Sequence, residues 1–263
     1  MLSTEKSRFL IGSLICIFLV SPALAGPPFR TDDPEPGDYR HWEVDVACQG
    51  SFDRHETSIN APFVEIDYTI VPNVQAHLVT PFVYTRPEGG PSHYGYGDTE
   101  LGAKFRFLQE TEWCPQVATF PLVELPTGNE DKGLGTGEVH EFLPLWLQKS
   151  WEPWTTYGGG GGYWINPGSG NKNYWFFGWV IQRDLSEHVS LGAEVFHQTS
   201  SEEGGDSDVG FNLGATVNIT DNHHVLLSAG RDIAGPNRAS FYLGYQLTFA
   251  PELFPSGTHA PQP

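Results

Sequence analysis

Between Asp208 and Ile219 the chain reads DVGFNLGATVNI and alternates without a slip. Val209, Phe211, Leu213, Ala215, Val217 and Ile219 are apolar, while Gly210, Asn212, Gly214, Thr216 and Asn218 between them are small or polar. A period of two predicts a strand with one apolar and one wet face. Twelve strand-like runs follow one another, near 41–50, 59–70, 74–84, 98–109, 116–125, 138–149, 154–164, 173–183, 189–199, 208–219, 223–231 and 239–249. The links between them keep a rhythm. Those at Val71-Pro72-Asn73, Thr111–Pro115, Ser150–Pro153, Asp184–His188 and Thr220–Asn222 are short; those at 85–97, 126–137, 165–172, 200–207 and 232–238 are mostly longer.

The faces add a second constraint. Leu101, Ala103, Phe105 and Phe107 oppose Glu100, Gly102, Lys104 and Arg106; Val64, Ile66, Tyr68 and Ile70 oppose Glu65, Asp67 and Thr69. Phe241, Leu243, Tyr245, Leu247 and Phe249 oppose Tyr242, Gly244, Gln246 and Thr248. The wet face carries Gly, Asn and Thr, too small to pack a core, so the apolar face is expected outside. Short turns at one end, longer loops at the other and apolar-out alternation are the marks of a transmembrane barrel. The expected fold is all-β: a single antiparallel transmembrane β-barrel of about twelve strands, with short periplasmic turns and longer outer loops. Rings near strand ends (Trp42, Tyr84, Trp113, Trp146, Trp151, Trp154, Tyr163, Trp164, Tyr174, Trp175) are expected in interfacial belts. The glycine run 158–162 fits a strand bend or a close backbone approach, since no Lys or helix follows to make a phosphate loop.

The beginning of the chain changes the picture. Lys6 and Arg8 precede an apolar run from Phe9 to Val20, and Ala23-Leu24-Ala25 has the form of a cleavage site. Residues 1–25 are therefore expected to be a secretory signal peptide. Residues 26–40 form an acidic, Pro-rich segment, 41–249 the barrel and 250–263 a Pro-rich tail. The formal net charge of −18 makes nucleic acid an improbable partner, because phosphate binding needs clustered Lys and Arg. Cys48 and Cys114 fall at opposite ends of the expected barrel and are expected to stay unbridged.

The last strand, YLGYQLTF, resembles the C-terminal targeting signal of bacterial outer-membrane barrels through Tyr242, Gly244, Leu247 and Phe249, although residues 250–263 follow it. That resemblance implies handling by the barrel-assembly machinery and a place in the outer membrane of a Gram-negative bacterium. A broader likeness covers nearly all of the chain after residue 25. GPPFRTDDPEPGDYRHWE, VPNVQAHLVTPF, GYGDTELGAKFRF, FPLVELPTG and QRDLSEHVSLGAEVF resemble the outer-membrane proteins linked to the meta-pathway of phenol degradation, a group labelled as transporters. The resemblance implies an outer-membrane barrel and passage or sensing of small aromatic or hydrophobic molecules. It carries no catalytic motif.

The candidate functional residues follow from the wet faces. Asp45, Glu65, Asp67, Glu100, Lys104, Arg106, Glu194, Asn212 and Gln246 are expected to line the lumen, with Glu43 and Arg183 also inward. They read either as a selectivity lining or as a filler of charges paired across strands. Asp32, Asp33 and Glu35, set between Pro34 and Pro36, read as a plug, a docking strap or a tether into the first strand. Loop carboxylates Glu202, Glu203, Asp206 and Asp208, with Glu130 and Asp131, read as solvated charge; none has calcium-loop spacing. Neither G-x-S-x-G nor H-E-x-x-H occurs, and His223 and His224 point to opposite faces of one strand. No enzyme, cofactor or metal is expected. The expected role is passive passage of small solutes, uptake or export, with outer-membrane lipid and lipopolysaccharide as surroundings. The alternative is a non-conducting structural or adhesive barrel, and an outer-membrane lipid-modifying enzyme is third.

Overall fold

The computed structural model describes residues 27–250. The signal-peptide expectation, at 1–25, and the tail expectation, at 250–263, apart from residue 250, lie outside the described residues. The chain runs through β1 (Trp42–Phe52), β2 (Glu56–Val71), β3 (Val74–Pro87), β4 (His93–Tyr96), β5 (Thr99–Leu108), β6 (Gln116–Thr119), β7 (Leu122–Leu125), β8 (His140–Trp151), β9 (Trp154–Ile165), β10 (Tyr174–Ser186), β11 (Val189–Gln198), β12 (Asp208–Thr220), β13 (His223–Ala234) and β14 (Ala239–Phe249). β4 and β5 both pair with β3 and make one stave, interrupted at Gly97-Asp98. β6 and β7 both pair with β5 and β8 and make another, interrupted at Phe120-Pro121. Twelve staves result. β1 pairs with β14 from Trp42↔Phe249 to Phe52↔Ala239, which closes the barrel and leaves no sheet edge.

One end carries two-residue links, at 72–73, 152–153, 187–188 and 221–222, with a longer one at 109–115. Asn73 holds φ at +70°, and its carbonyl accepts the Arg106 N–H at 3.0 Å. The opposite end carries 126–139, 166–173 and 199–207. Its remaining links are shorter than the sequence suggests, because β3 runs on to Pro87 and β13 to Ala234. The loop 126–139 includes a 3-10 turn at Glu130–Lys132 and folds back over the barrel mouth. Asp98, at the break between β4 and β5, accepts hydrogen bonds from the N–H groups of Gly128 (2.9 Å) and Thr136 (2.7 Å). Leu134 is thereby carried into the interior, where it is buried.

The wall is apolar outward. Leu101, Phe105, Leu143, Trp179, Leu191, Val195, Leu213 and Leu243 are exposed on the outer face, while Asp45, Asp67, Lys104, Gln148, Gln182, Glu194, Asn212 and Gln246 are buried on the inner one. Such a wall is inside out relative to a water-soluble barrel and suits hydrocarbon on its outer face. Outward rings gather at both ends: Trp42 stacks on Tyr68 at 4.4 Å near the turns, and Tyr163 packs on Trp175 at 4.9 Å near the loops.

Three rings expected in those belts are elsewhere. Trp146 is 1% exposed and, with Trp164 and Tyr174, faces the lumen. The β8 sequence HEFLPLWLQ is apolar on both faces, so alternation alone cannot orient it. The glycine run explains how so large a ring fits: a Cβ at Gly159 would meet the Trp146 ring at 2.8 Å, and one at Gly162 the Phe142 ring at 2.1 Å. The register also slips at Leu145/Trp146 and at Phe176/Trp179, with Gly161 at φ +95°, which shifts the alternation of β9 and turns Trp164 inward. Arg183, also expected inside, points outward over the Trp154 ring at 5.1 Å.

Cys48 lies on β1 facing out of the barrel, and Cys114 is exposed in the link 109–115; both are free thiols. A charged, membrane-impermeant maleimide is expected to label Cys114 in the folded barrel and to reach Cys48 only after denaturation. Mass spectrometry showing Cys48 labelled at an equal rate would contradict its place on the apolar face.

Candidate functional site

The lumen is shaped by the residues that precede β1. Pro34 and Pro36 lack N–H donors, and this stretch takes no strand or helix. It instead crosses the interior on side-chain contacts. At the turn end the Arg40 N–H donates to the Thr69 carbonyl (2.9 Å), Thr69 Oγ1 donates to the Gly37 carbonyl (2.9 Å), and the Gly37 N–H donates to Gln75 Oε1 (2.7 Å). Glu35 then accepts from Gln116 (3.2 Å) and Gln148 (3.1 Å) and lies 3.5 Å from the Arg106 guanidinium. Asp32 pairs with the buried Lys104 ammonium at 3.2 Å, and Asp33 stands at 3.8 Å from it. Burial pushes the Asp33 carboxyl well above the usual carboxylate range against the pull of that ammonium, so Asp32 is the closer ionic partner.

Further along, the segment meets the far wall. Thr31 is fully buried and donates to Glu194 Oε1 twice, from its N–H at 2.7 Å and its hydroxyl at 2.6 Å. Glu194 Oε2 accepts from Asn212 at 2.5 Å and from the Arg30 N–H at 3.3 Å. The Arg30 guanidinium sits 4.3 Å over the Phe196 ring and 5.0 Å over Phe176, and donates to Gln198 at 2.8 Å. Phe29 fills a hollow left by two glycines, since a Cβ at Gly192 or Gly214 would meet its ring at 2.7–2.8 Å. Ser228 donates to the Pro28 carbonyl at 2.5 Å. Residues 28–40 thus bridge the lumen from β2 and β3 to β13.

Above this floor lies a cavity of about 770 Å³, bounded by Pro27, Pro28, Phe29 and Arg30 below and by Leu134 of the folded-back loop. Phe120, Phe142, Trp146, Phe176 and Phe196 form a buried cluster on one side, extended by Leu122 and Trp164. Beside them, with the Phe120 ring 5.0 Å from that of His77, an acidic patch runs across four staves. Glu43 and Asp45 of β1 face Asp67 and Glu65 of β2; Asp67 faces His77 of β3; and Val79, two residues on from His77, faces Glu100 of β5. Gln246 donates to Glu43 at 2.7 Å and to Asp45 at 3.4 Å. His77 lies between carboxylates, 2.7 Å from Asp67 and 2.8 Å from Glu100.

The sequence-named residues divide accordingly. Asp45, Glu65, Asp67, Glu100 and Gln246 share the acidic patch. Glu194 holds Thr31 and is itself braced by Asn212. Lys104 and Arg106 meet Asp32 and Glu35 of the incoming segment, where the sequence suggested partners across the wall. His77 and the ring cluster escape a sequence reading built on charged residues. His77 stands opposite Asp67 only because the ladder slips by one residue between Thr69 and Val71; the two-residue link at 72–73 alone would set Leu78 there. Tyr242 and Gly244 of the last strand pair with β13 and β1, and Leu247 and Phe249 with Val44 and Trp42.

A closed twelve-stave wall, apolar without, charged and aromatic within, and crossed by its own leading segment, defines a transmembrane β-barrel. The chain belongs to the family described as "Putative MetA-pathway of phenol degradation", which matches residues 40–249. Among solved structures it is similar to the COG4313 outer membrane channel from Pseudomonas putida F1, with TM-score 0.69 and 17% identity over 82% of this chain and 99% of that one. It is also similar to the KdgM porin (TM-score 0.53, 9% identity, covering 78% and 99% of the two chains). The beta domain of the Bordetella autotransporter BrkA is a third likeness (TM-score 0.51, 12% identity, covering 81% and 100%). At these identities the likeness is one of fold. No curated protein matches the chain by sequence.

Proposed function

We propose that this barrel stands in a bacterial outer membrane and passes small aromatic or hydrophobic solutes passively through its lumen, with residues 27–40 as a plug that shifts to let them by. The cavity of about 770 Å³ carries this reading, because ring edges make up one wall and residues 27–30, which join no strand, make up the floor. An apolar pocket with a few polar groups is the usual form of a site for a small organic ligand. Asp45, Glu65, Asp67, Glu100, Lys104, Arg106, Glu194, Asn212 and Gln246 orient water and polar groups along the path and perform no chemistry. The proposal includes export through a cleaved signal peptide and insertion by the barrel-assembly machinery. The family's label and the channel and porin among its structural neighbours support it.

The second reading, a barrel that never conducts, is favoured by the ion pairs and hydrogen bonds that hold Asp32, Thr31 and Glu35 in place. Planar-bilayer recordings separate the two. Wild type is expected to give small conductance steps that enlarge in Lys104→Ala plus Arg106→Ala and are reduced by millimolar benzyl alcohol but not by glycerol. Silence from both proteins would sink the channel reading in favour of the structural one.

A further inference from the structure

We propose that Glu65, Asp67 and His77 bind a divalent metal ion of the zinc class on the lumen wall. Register builds the site: Asp67 and His77 are cross-strand partners, Glu65 lies two residues along the same inward face, and one ligand atom from each falls within 4.8 Å of the others. The proposal departs from the sequence-based expectation of no metal, because the spacing Glu-x-Asp…His becomes a cluster only through the 72–73 turn and the register slip between Thr69 and Val71.

The geometry around the imidazole points to a cation. His77 Nε2 stands 2.8 Å from Glu100 Oε1, while Nδ1 stands 2.7 Å from Asp67 Oδ1 and 3.7 Å from Glu65 Oε1. A neutral imidazole has one N–H. With that hydrogen donated to Glu100, the Nδ1 lone pair faces two carboxylates, an arrangement that is satisfied either by a second proton on the ring or by a cation held between the three groups. Metal-bound histidines are commonly fixed this way, with the second ring nitrogen donating to a carboxylate. Ligands about 2.1 Å from an ion lie roughly 3–3.4 Å apart, and the distances of 2.7 and 3.7 Å bracket that spacing.

Two independent observations favour an ion. Asp45, the cross-strand partner of Glu65, is 1% exposed, and its Oδ1 has no hydrogen-bond partner. The patch also holds five carboxylates, Glu43, Asp45, Glu65, Asp67 and Glu100. Among the described residues its ionic partners within 4.0 Å are His77 alone; the nearby Lys104 is taken by Asp32 and Asp33. A divalent ion offsets that excess where one imidazolium cannot. Glu65, His77 and Glu100 line the cavity, which gives the ion a route in. Calcium and magnesium take oxygen ligands, so a histidine nitrogen in the set selects an ion such as zinc.

The test uses the full barrel refolded in detergent, stripped with EDTA and titrated calorimetrically with ZnCl2, with CaCl2 as a parallel arm. One zinc per barrel is expected, weakened about tenfold or more in both His77→Gln and Glu65→Gln, with no saturable calcium binding at the same concentrations. Glu65→Gln leaves the His77 hydrogen bonds to Asp67 and Glu100 intact, so it decides the matter should His77→Gln fail to refold. Absence of saturable zinc binding, equal zinc affinity in Glu65→Gln, or calcium binding as tight as zinc would each overturn the proposal. Conductance plays no part in these readouts, so the result stands apart from the transport reading.

Discussion

Glu194→Ala is expected to release residues 28–33 from the far wall and to cost the folded barrel about 3 kcal/mol. Glu194 is 1% exposed and accepts four hydrogen bonds, from the Thr31 N–H and hydroxyl, from Asn212 and from the Arg30 N–H. A buried hydrogen bond to a charged group is worth about 1.5–3 kcal/mol, and deletion strands its donors without water to take over. Part of the loss is recovered as the segment leaves and its N–H groups become hydrated, which keeps the total below the sum of four bonds. Trypsin reports the release directly. Arg30 lies inside the wild-type barrel, over two rings, and becomes cleavable once Thr31 lets go. Rapid cleavage after Arg30 in Glu194→Ala beside protection in wild type is the expected outcome. Equal protection in both, with no change in urea midpoint, would mean that Phe29 and Lys104 hold the segment without Glu194. The conductance recordings then acquire a control, because an opened floor enlarges the steps only if the barrel conducts.

The staves were legible because a wall with lipid on one side and water on the other imposes period two on every strand. Leu101, Phe105, Leu213 and Leu243 point outward as their alternation requires. Legibility failed where that contrast failed. In β8 both faces are apolar, so Trp146 read as a ring of the interfacial belt although it fills the lumen beside Phe142. In β9 the bulge around Gly161 shifts the phase, and rings on the two sides of it cannot be oriented by one pattern. The break at Phe120-Pro121 was hidden as well, being only two residues long, and β4 (His93–Tyr96) was read as part of the link 85–97.

The interior was legible in kind and not in pairing. Alternation identifies Lys104 and Arg106 as inward, yet their partners come from residues 32–35, some seventy positions earlier in the chain. No local pattern encodes a contact of that separation. The prolines signalled a segment unable to join the sheet, and its acids signalled a charged destination. Only the closed barrel shows that the basic groups it meets stand on β5. The glycines at 178, 192 and 214 belong to the same class of signal. In a strand interior they weaken pairing, and here they admit Thr31 and Phe29, which a Cβ would exclude.

Lys104→Met should then destabilise the barrel by about 3 kcal/mol or more, and most of that loss should disappear when Asp32→Asn and Asp33→Asn are already present. Lys104 is 4% exposed, and its ammonium lies 3.2 Å from Asp32, 3.8 Å from Asp33 and 5.1 Å from the centre of the Phe120 ring. Removing one partner of a buried ion pair costs about 3–5 kcal/mol because the remaining charge is uncompensated. Methionine preserves the stem packing, so the change isolates the charge. Asparagine at 32 and 33 removes the stranded carboxylates while keeping their size. The four-corner cycle, read from urea midpoints and from heat-modifiable migration, is expected to give a coupling of about 2 kcal/mol. Additive losses would show that Lys104 answers to Glu43 and Asp67 on the wall and leaves the incoming segment to Glu194. Strong coupling makes the leading segment part of the electrostatics of the wall: whatever draws Asp32 away from Lys104 also places an unpaired cation beside the acidic patch. If the barrel conducts as proposed, a solute arriving there would meet a lumen less negative by the carboxylates that residues 32–35 had brought in.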